Sequence, residues 1–209
     1  KKIDIMSLFN DTYYAYNKAL PKKICEEIIK DGETKEFKSS NIFQDLSKKR
    51  KRKVKSISSL KIRNSKNSWL HPFWIYKEIK PFIEYSNKLS KWNLDYNIIE
   101  EFQFTKYEGN KKQHYSWHSD EDTEKEIGQP VRKLSTIIML SDPKNFEGGD
   151  LEFYNYSPPK RKNKILKTHH LKQQGTIITF PSFVIHRVLP VTKGLRYSLV
   201  VWHKGPRFK

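Results

Sequence analysis

The sequence predicts an α+β fold, with helices in its N-terminal half and a β-sandwich or barrel in its C-terminal half. Three observations carry that prediction. Apolar residues recur at helical spacing in two stretches before residue 90. After Asn97 the texture changes to short β-branched or aromatic runs divided by turn signals. No linker separates the two parts. Residues 1–98 are therefore expected as a helical and loop support region, and residues 99–209 as the β core, in one structural domain.

The first helix is expected from Pro21 to Asp31, where Ile24, Cys25, Ile28 and Ile29 form one face. Pro21 suits a first-turn position, and Gly32 is expected to end the helix. A second helix is expected over "PFWIYKEIKPFIEYSNKL", from Pro72 to Leu89, kinked or divided at Pro81. Between them, seven of the eight residues from Lys48 to Lys55 are basic. Such a run can mark a nuclear-import or nucleic-acid patch, but a solvated loop is the cheaper reading and the one adopted.

The β part comprises Ile99 to Tyr107, Val131 to Leu140, Asp150 to Tyr154, Thr176 to Phe180 and Leu195 to Trp202. Turn signals at Glu108-Gly109-Asn110, Gly148-Gly149-Asp150, Gly175, Pro181-Ser182 and Lys193-Gly194 divide them. Short strands at this spacing suit a closed or two-layered sheet.

A chain of 209 residues can bury a core. Its hydrophobic fraction is low at 36%, yet 12 Phe, 11 Tyr and 5 Trp supply large buried areas. The net charge of +18 favours nucleic acid, a membrane surface or an acidic protein, and a biased codon pool would produce it equally well. The single cysteine, Cys25, excludes an internal disulfide and suggests a reducing cytoplasm. The opening residues lack the apolar stretch of a signal peptide, and runs such as "TIIML" are too short to span a bilayer, so no membrane association is expected. No residue pattern specifies an oligomeric state.

The chemistry is carried by "QHYSWHSDED". His118 and Asp120 stand two apart, so on an extended backbone their side chains point the same way. A third metal ligand must come from elsewhere, and His186 is the best candidate. Two imidazoles and one carboxylate on one face of an octahedron leave three positions open, a set suited to non-haem Fe(II). Those positions suit a chelating 2-oxo acid and dioxygen. Taken alone, His118 and Asp120 would read as a surface histidine beside a solvated acidic run. Arg196, ten residues after His186 in a strand-like segment, changes that balance. A guanidinium offers a rigid fork to a carboxylate, as anchoring the distal end of 2-oxoglutarate requires.

Three ordered segments, "FQFTKYEGNKKQHYSWHSD", "LSTIIMLSDPKNFEGGDLEF" and "GTIITFPSFVIHRVLPVTKGLRYSLVVW", resemble the prolyl 4-hydroxylase-like branch of the 2-oxoglutarate oxygenases, and PKHD-type hydroxylases especially. The resemblance spans about Tyr96 to Pro206. It implies a double-stranded β-helix (jelly roll) that uses Fe(II), 2-oxoglutarate and O2, with ascorbate in support, to hydroxylate a C–H bond and release succinate and CO2. Position by position it implies His118, Asp120 and His186 as metal ligands, Arg196 as the co-substrate anchor and Tyr107 as a pocket residue. Tyr115 is expected to pack, and Trp202 to close the core behind Arg196. Met139 stands where many prolyl hydroxylases carry a tyrosine that helps bind the distal carboxylate, which weakens the assignment of a prolyl substrate.

The remaining candidates carry less. His114 stands four before His118, but the Glu and the helix of a zinc-protease motif are missing; His71, His203 and the His169-His170 pair lack partners at ligand spacing, and Cys25 reads as a small core residue. The acidic run from Asp120 to Glu126 is expected to form a rim that favours a cationic or polar peptide. A protein or peptide hydroxylase is the leading expectation. The alternatives are a nucleic-acid-modifying oxygenase and a basic nucleic-acid-binding protein without catalysis. Trp202 stands where nucleic-acid repair dioxygenases carry a second arginine, which argues against the first of these.

Overall fold

Helix α1 (Lys22–Glu33) forms because its apolar residues fall on one face: Cys25 and Ile28 are buried, while lysine–glutamate pairs span successive turns outside. In this computed structural model, which describes residues 11–44, 60–71, 73–121, 128–155 and 165–207, the helix does not stop at Gly32. Gly32 serves packing instead, since a Cβ there would lie 2.5 Å from the Phe104 ring. Helix α2 (Phe73–Leu89) runs unbroken through Pro81. It buries Ile75, Ile79 and Ile83, four residues apart, and Pro81 lies on the exposed side, so its missing N–H faces solvent.

The β structure begins earlier than expected. Strands β1 (Tyr14–Tyr16), β2 (Lys38–Gln44) and β3 (Leu60–Leu70) precede β4 (Ile98–Ile99), β5 (Phe102–Glu108) and β6 (His114–His118). The chain continues through β7 (Val131–Met139), β8 (Phe146–Gly148), β9 (Leu151–Tyr154) and β10 (Ile165–Lys167). It ends with β11 (Ile177–Pro181), β12 (His186–Val188) and β13 (Val191–Gly205). The expectation of a helical or irregular N-terminal half is therefore corrected by β1, β2 and β3. In β3 the buried positions alternate as a strand requires, but they hold Arg63, Ser65 and Asn67, so a search for alternating apolar residues passes over it. The basic run from Lys48 to Lys55 lies outside the described residues.

Among the described residues the strands join in the order β1-β11-β7-β13-β5-β3-β6-β12-β9-β10, with every pairing antiparallel. The sheet curls into a double-stranded β-helix, the jelly roll that the family resemblance implied. Alternation along its strands builds two cores. Ile138, Leu199 and Val201 face α1 and α2, while Ile137, Phe153, Ile178 and Phe180 fill the inside of the curl.

Candidate active site

The two histidines meet because β6 ends where β12 begins. His118 and His186 are direct cross-strand partners, and their ring centroids lie 4.2 Å apart. The loop after β6 is pinned by the Asp120 N–H, which donates to the Ser182 carbonyl at 2.9 Å. That bond turns the Asp120 carboxylate toward both rings, Oδ1 lying 3.6 Å from His118 Nε2 and Oδ2 3.7 Å from His186 Nε2.

The far side of each ring is held by a backbone carbonyl two residues earlier. His118 Nδ1 donates to Ser116 at 2.8 Å and His186 Nδ1 to Val184 at 3.0 Å. A carbonyl only accepts, so each proton sits on Nδ1 and each Nε2 turns a lone pair toward the carboxylate. Burial first, and the neighbouring His186 second, push the His118 imidazole down to about 3. Burial works to raise the Asp120 carboxyl, which the charge that its two imidazole neighbours carry when protonated brings below its usual range. Asp120 Oδ2 is buried without a hydrogen-bond partner. Two lone pairs and an unsatisfied carboxylate thus converge within 4.8 Å of one another. Such a set repels itself unless a cation stands among it, and it fits a divalent ion with nitrogen and oxygen ligands.

Arg196 lies on β13 opposite Tyr107 of β5. Its guanidinium is almost fully buried, yet its partners are neutral: Nη1 donates to Ser198 Oγ at 3.2 Å and Nη2 to Met139 Sδ at 3.3 Å, with the Tyr107 ring 5.2 Å from Cζ. Burial depresses its pKa. Gly149 makes room for it, since a Cβ there would come within 2.7 Å of Arg196 Cδ. A buried cation that forms no ion pair among the described residues, with Asp150 acting on it only as a neighbouring charge, fits a bound anion. Arg196, Tyr107, His118, Asp120 and His186 line one common cavity.

Residues 102–204 match the sequence profile of the 2OG-Fe(II) oxygenase superfamily. The chain belongs to that superfamily. This oxygenase-superfamily chain is 30% identical over 91 residues to a PKHD-type hydroxylase of Pseudomonas fluorescens, a match covering 42% of this chain and 37% of the relative. It thus spans little more than a third of that relative's length. In fold it is similar to the viral collagen prolyl hydroxylase from Paramecium Bursaria Chlorella virus-1 in its 2OG complex. That likeness has a TM-score of 0.63 at 19% identity, over 94% of this chain and 97% of the other. It is also similar to a Trichoplax adhaerens prolyl hydroxylase in complex with a hypoxia inducible factor peptide fragment. There the TM-score is 0.66 at 16% identity, over 93% and 84% of the two chains. At these identities the structures speak for the fold alone. The superfamily's chemistry uses Fe(II), 2-oxoglutarate and O2.

The other sequence candidates separate in this oxygenase fold. Tyr115 stacks on His118 with centroids 3.4 Å apart, fixing that ring, and burial pushes its phenol up to about 12. Trp202 corrects an expectation: instead of closing the core behind Arg196, it lines the cavity beside Asp120, under the Arg132 guanidinium at 3.8 Å. His169 and His170 are exposed, and His71 pairs with Glu101 at the surface. Cys25 is buried in the core, and burial lifts its thiol to about 11, so it is no nucleophile. Residues 122–126 of the acidic run lie outside the described residues. No helix among the described residues is long and apolar enough to cross a membrane.

Sequence reasoning missed the polar wall of the site. Arg63, Asn67 and Gln103 line an outer cavity of about 440 Å³ that adjoins the triad through Tyr115 and Asp120. Arg63 and Asn67 sit in the all-polar stretch Arg63–Ser68 of β3, which carries no strand signal, and Gln103 sits in a strand that was expected.

Proposed function

We propose that this chain is an Fe(II)- and 2-oxoglutarate-dependent dioxygenase that hydroxylates a C–H bond in a protein or peptide, with succinate and CO2 as co-products. His118, Asp120 and His186 hold the metal, Arg196 receives the distal carboxylate of 2-oxoglutarate, and the Tyr107 hydroxyl faces the co-substrate. When bound, the metal with 2-oxoglutarate and O2 supplies the oxidising power. The chain's own residues orient and shield. The carbonyls of Ser116 and Val184 fix the two rings, and Tyr115 packs against one of them. The apolar lining from Ile137, Val188 and Val200 limits water.

The observation that carries this reading is that Arg196, buried and without a carboxylate partner among the described residues, shares one cavity with the His118–Asp120–His186 cluster. The peptide-bound Trichoplax neighbour supports a peptide substrate. A nucleic-acid substrate rests on the +18 charge alone. We read the described residues as one folding unit, because β3 lies between β5 and β6 in the same sheet. The lone buried Cys25 suits the cytoplasm.

The test is succinate formation by the purified chain with Fe(II), 2-oxoglutarate and ascorbate. Turnover without peptide that vanishes in His118→Ala and His186→Ala is expected. Succinate formation equal in wild type and both variants would overturn the reading.

A further inference from the structure

The oxygenase reading leaves one buried cation without a task. Arg63 of β3 is 7% exposed and lines both the inner cavity and the outer one of about 440 Å³. Its guanidinium donates to neutral acceptors only: Nε to Ser65 Oγ at 2.9 Å, and Nη2 to Asn67 Oδ1 at 3.0 Å and Gln103 Oε1 at 2.6 Å. Its Cζ lies 4.5 Å over the Tyr115 ring. Among the described residues no carboxylate pairs with it. Arg132, across the same cavity, differs, because Glu100 takes its Nε at 2.6 Å.

Charge balance sharpens the point. A divalent ion, the Asp120 carboxylate, a dicarboxylate co-substrate and Arg196 together sum to zero, so binding the metal and co-substrate leaves Arg63 uncompensated. A guanidinium keeps its charge, and holding one in a mostly buried wall costs several kcal/mol of hydration, roughly, which neutral acceptors repay only in part. An arriving oxyanion would repay the rest. The cavity's described wall also carries Lys38, with Glu121 as its acidic member besides Asp120. Its rim includes Ser39 and Ser40 of β2, and among the described residues β2 pairs with β3 alone, so its outer edge is free to take an extended backbone.

We propose that the outer cavity is the substrate cleft and that Arg63 receives a carboxylate of an acidic peptide laid along β2, close to the C–H bond that reacts. This rests on the oxygenase reading for its chemistry, but not for the binding of the anion. It reverses the preference for cationic peptides that the acidic run after Asp120 suggests.

The test uses the full chain and three small probes: acetyl-glutamate amide, acetyl-alanine with its free C-terminal carboxylate, and neutral acetyl-glutamine amide. Binding is followed in two ways. One is proton relaxation of the probe by Mn(II), with 2-oxoglutarate saturating. The other is tryptophan fluorescence of the metal-free chain, since Trp69 and Trp202 line the cleft. At least one anionic probe is expected to bind about tenfold more tightly than the neutral one. Which of the two does so identifies the source of the carboxylate. Arg63→Met should erase the preference, while Arg63→Lys should keep part of it. Equal binding of anionic and neutral probes by wild type overturns the proposal without any variant. So does a preference that survives in Arg63→Met, and a tighter response to a mononucleotide than to acetyl-glutamate amide overturns the peptide assignment. If Mn(II) and 2-oxoglutarate fail to bind, the oxygenase reading fails, and the fluorescence arm still decides the role of Arg63.

Discussion

Arg196 directs its Nη2 at the sulfur of Met139 at 3.3 Å, so the most deeply buried cation of the site leans on an uncharged acceptor. The arrangement favours ligand binding over stability. Arg196→Met should therefore split two properties that usually move together. Removing an unpaired buried charge should stabilise the ligand-free chain by about 1–3 kcal/mol. The same change should weaken 2-oxoglutarate by roughly 30-fold or more, the worth of a charge-assisted pair. Urea denaturation and calorimetric titration of the Mn(II)-loaded chain check the two halves, and loss of stability together with intact binding would refute the assignment.

Asp120 offers a complementary case, because its ionised carboxylate faces two lone pairs and leaves Oδ2 unsatisfied. Asp120→Asn keeps the shape while giving the two imidazoles a donor. The variant is expected to fold at least as well as wild type without metal and to lose Mn(II) affinity by about 100-fold. Electron paramagnetic resonance of free Mn(II) reads the affinity, and chelation should then lower the melting temperature of wild type but not of Asp120→Asn.

How far the site was legible follows from which physical signals reach the sequence. His118, Asp120, His186 and Arg196 could be singled out because side-chain alternation and ligand chemistry are local or ordered along the chain, and the structure gathers all four around one cavity. The β-rich C-terminal half was legible from its turn signals, among them Gly148, Gly149, Gly175 and Gly194, all with positive φ. Strand β3 was not, because its buried face holds Arg63, Ser65 and Asn67, and a polar inner face erases the apolar alternation by which strands are recognised. The place of Trp202 was missed for a related reason. Its position on β13 fixes a face of the sheet, but the curl of the sheet decides that this face looks onto Asp120.

Gly149 tests how tightly the anchor is held. It combines φ +66° with a Cβ direction that runs into Arg196 Cδ at 2.7 Å, whereas Gly128 has φ +94° and open space. Gly128→Ala therefore carries the backbone penalty alone, about 1 kcal/mol. Gly149→Ala adds a displaced guanidinium and should cost about 2–4 kcal/mol. It should also raise the KM for 2-oxoglutarate at least several-fold, with the KM of Gly128→Ala unchanged. Equal effects of the two substitutions would show that Arg196 tolerates displacement.

His203 sets an acid limit on the fold. It is fully buried on β13 between Tyr76 and Tyr96, with Nδ1 unpartnered, and burial lowers its pKa from 6.5 to about 4. The unfolded chain thus binds this proton first. Between the two values the unfolded state holds more protons than the folded one, so stability is complete above about pH 6.5 and falls as the pH drops toward 4. The shift corresponds to a loss of about 3 kcal/mol across that window. His118 adds to the slope in the metal-free chain, because its pKa is depressed in the same direction. Urea midpoints should therefore be compared between wild type and His203→Leu at each pH, so that the His118 contribution cancels. The difference between the two proteins should be flat from pH 7 to 8 and should shift in favour of the variant below about pH 6.5, by ~1 kcal/mol per pH unit. A difference that stays constant down to pH 4 would mean that the buried imidazole takes up its proton as readily in the folded chain as in the unfolded one.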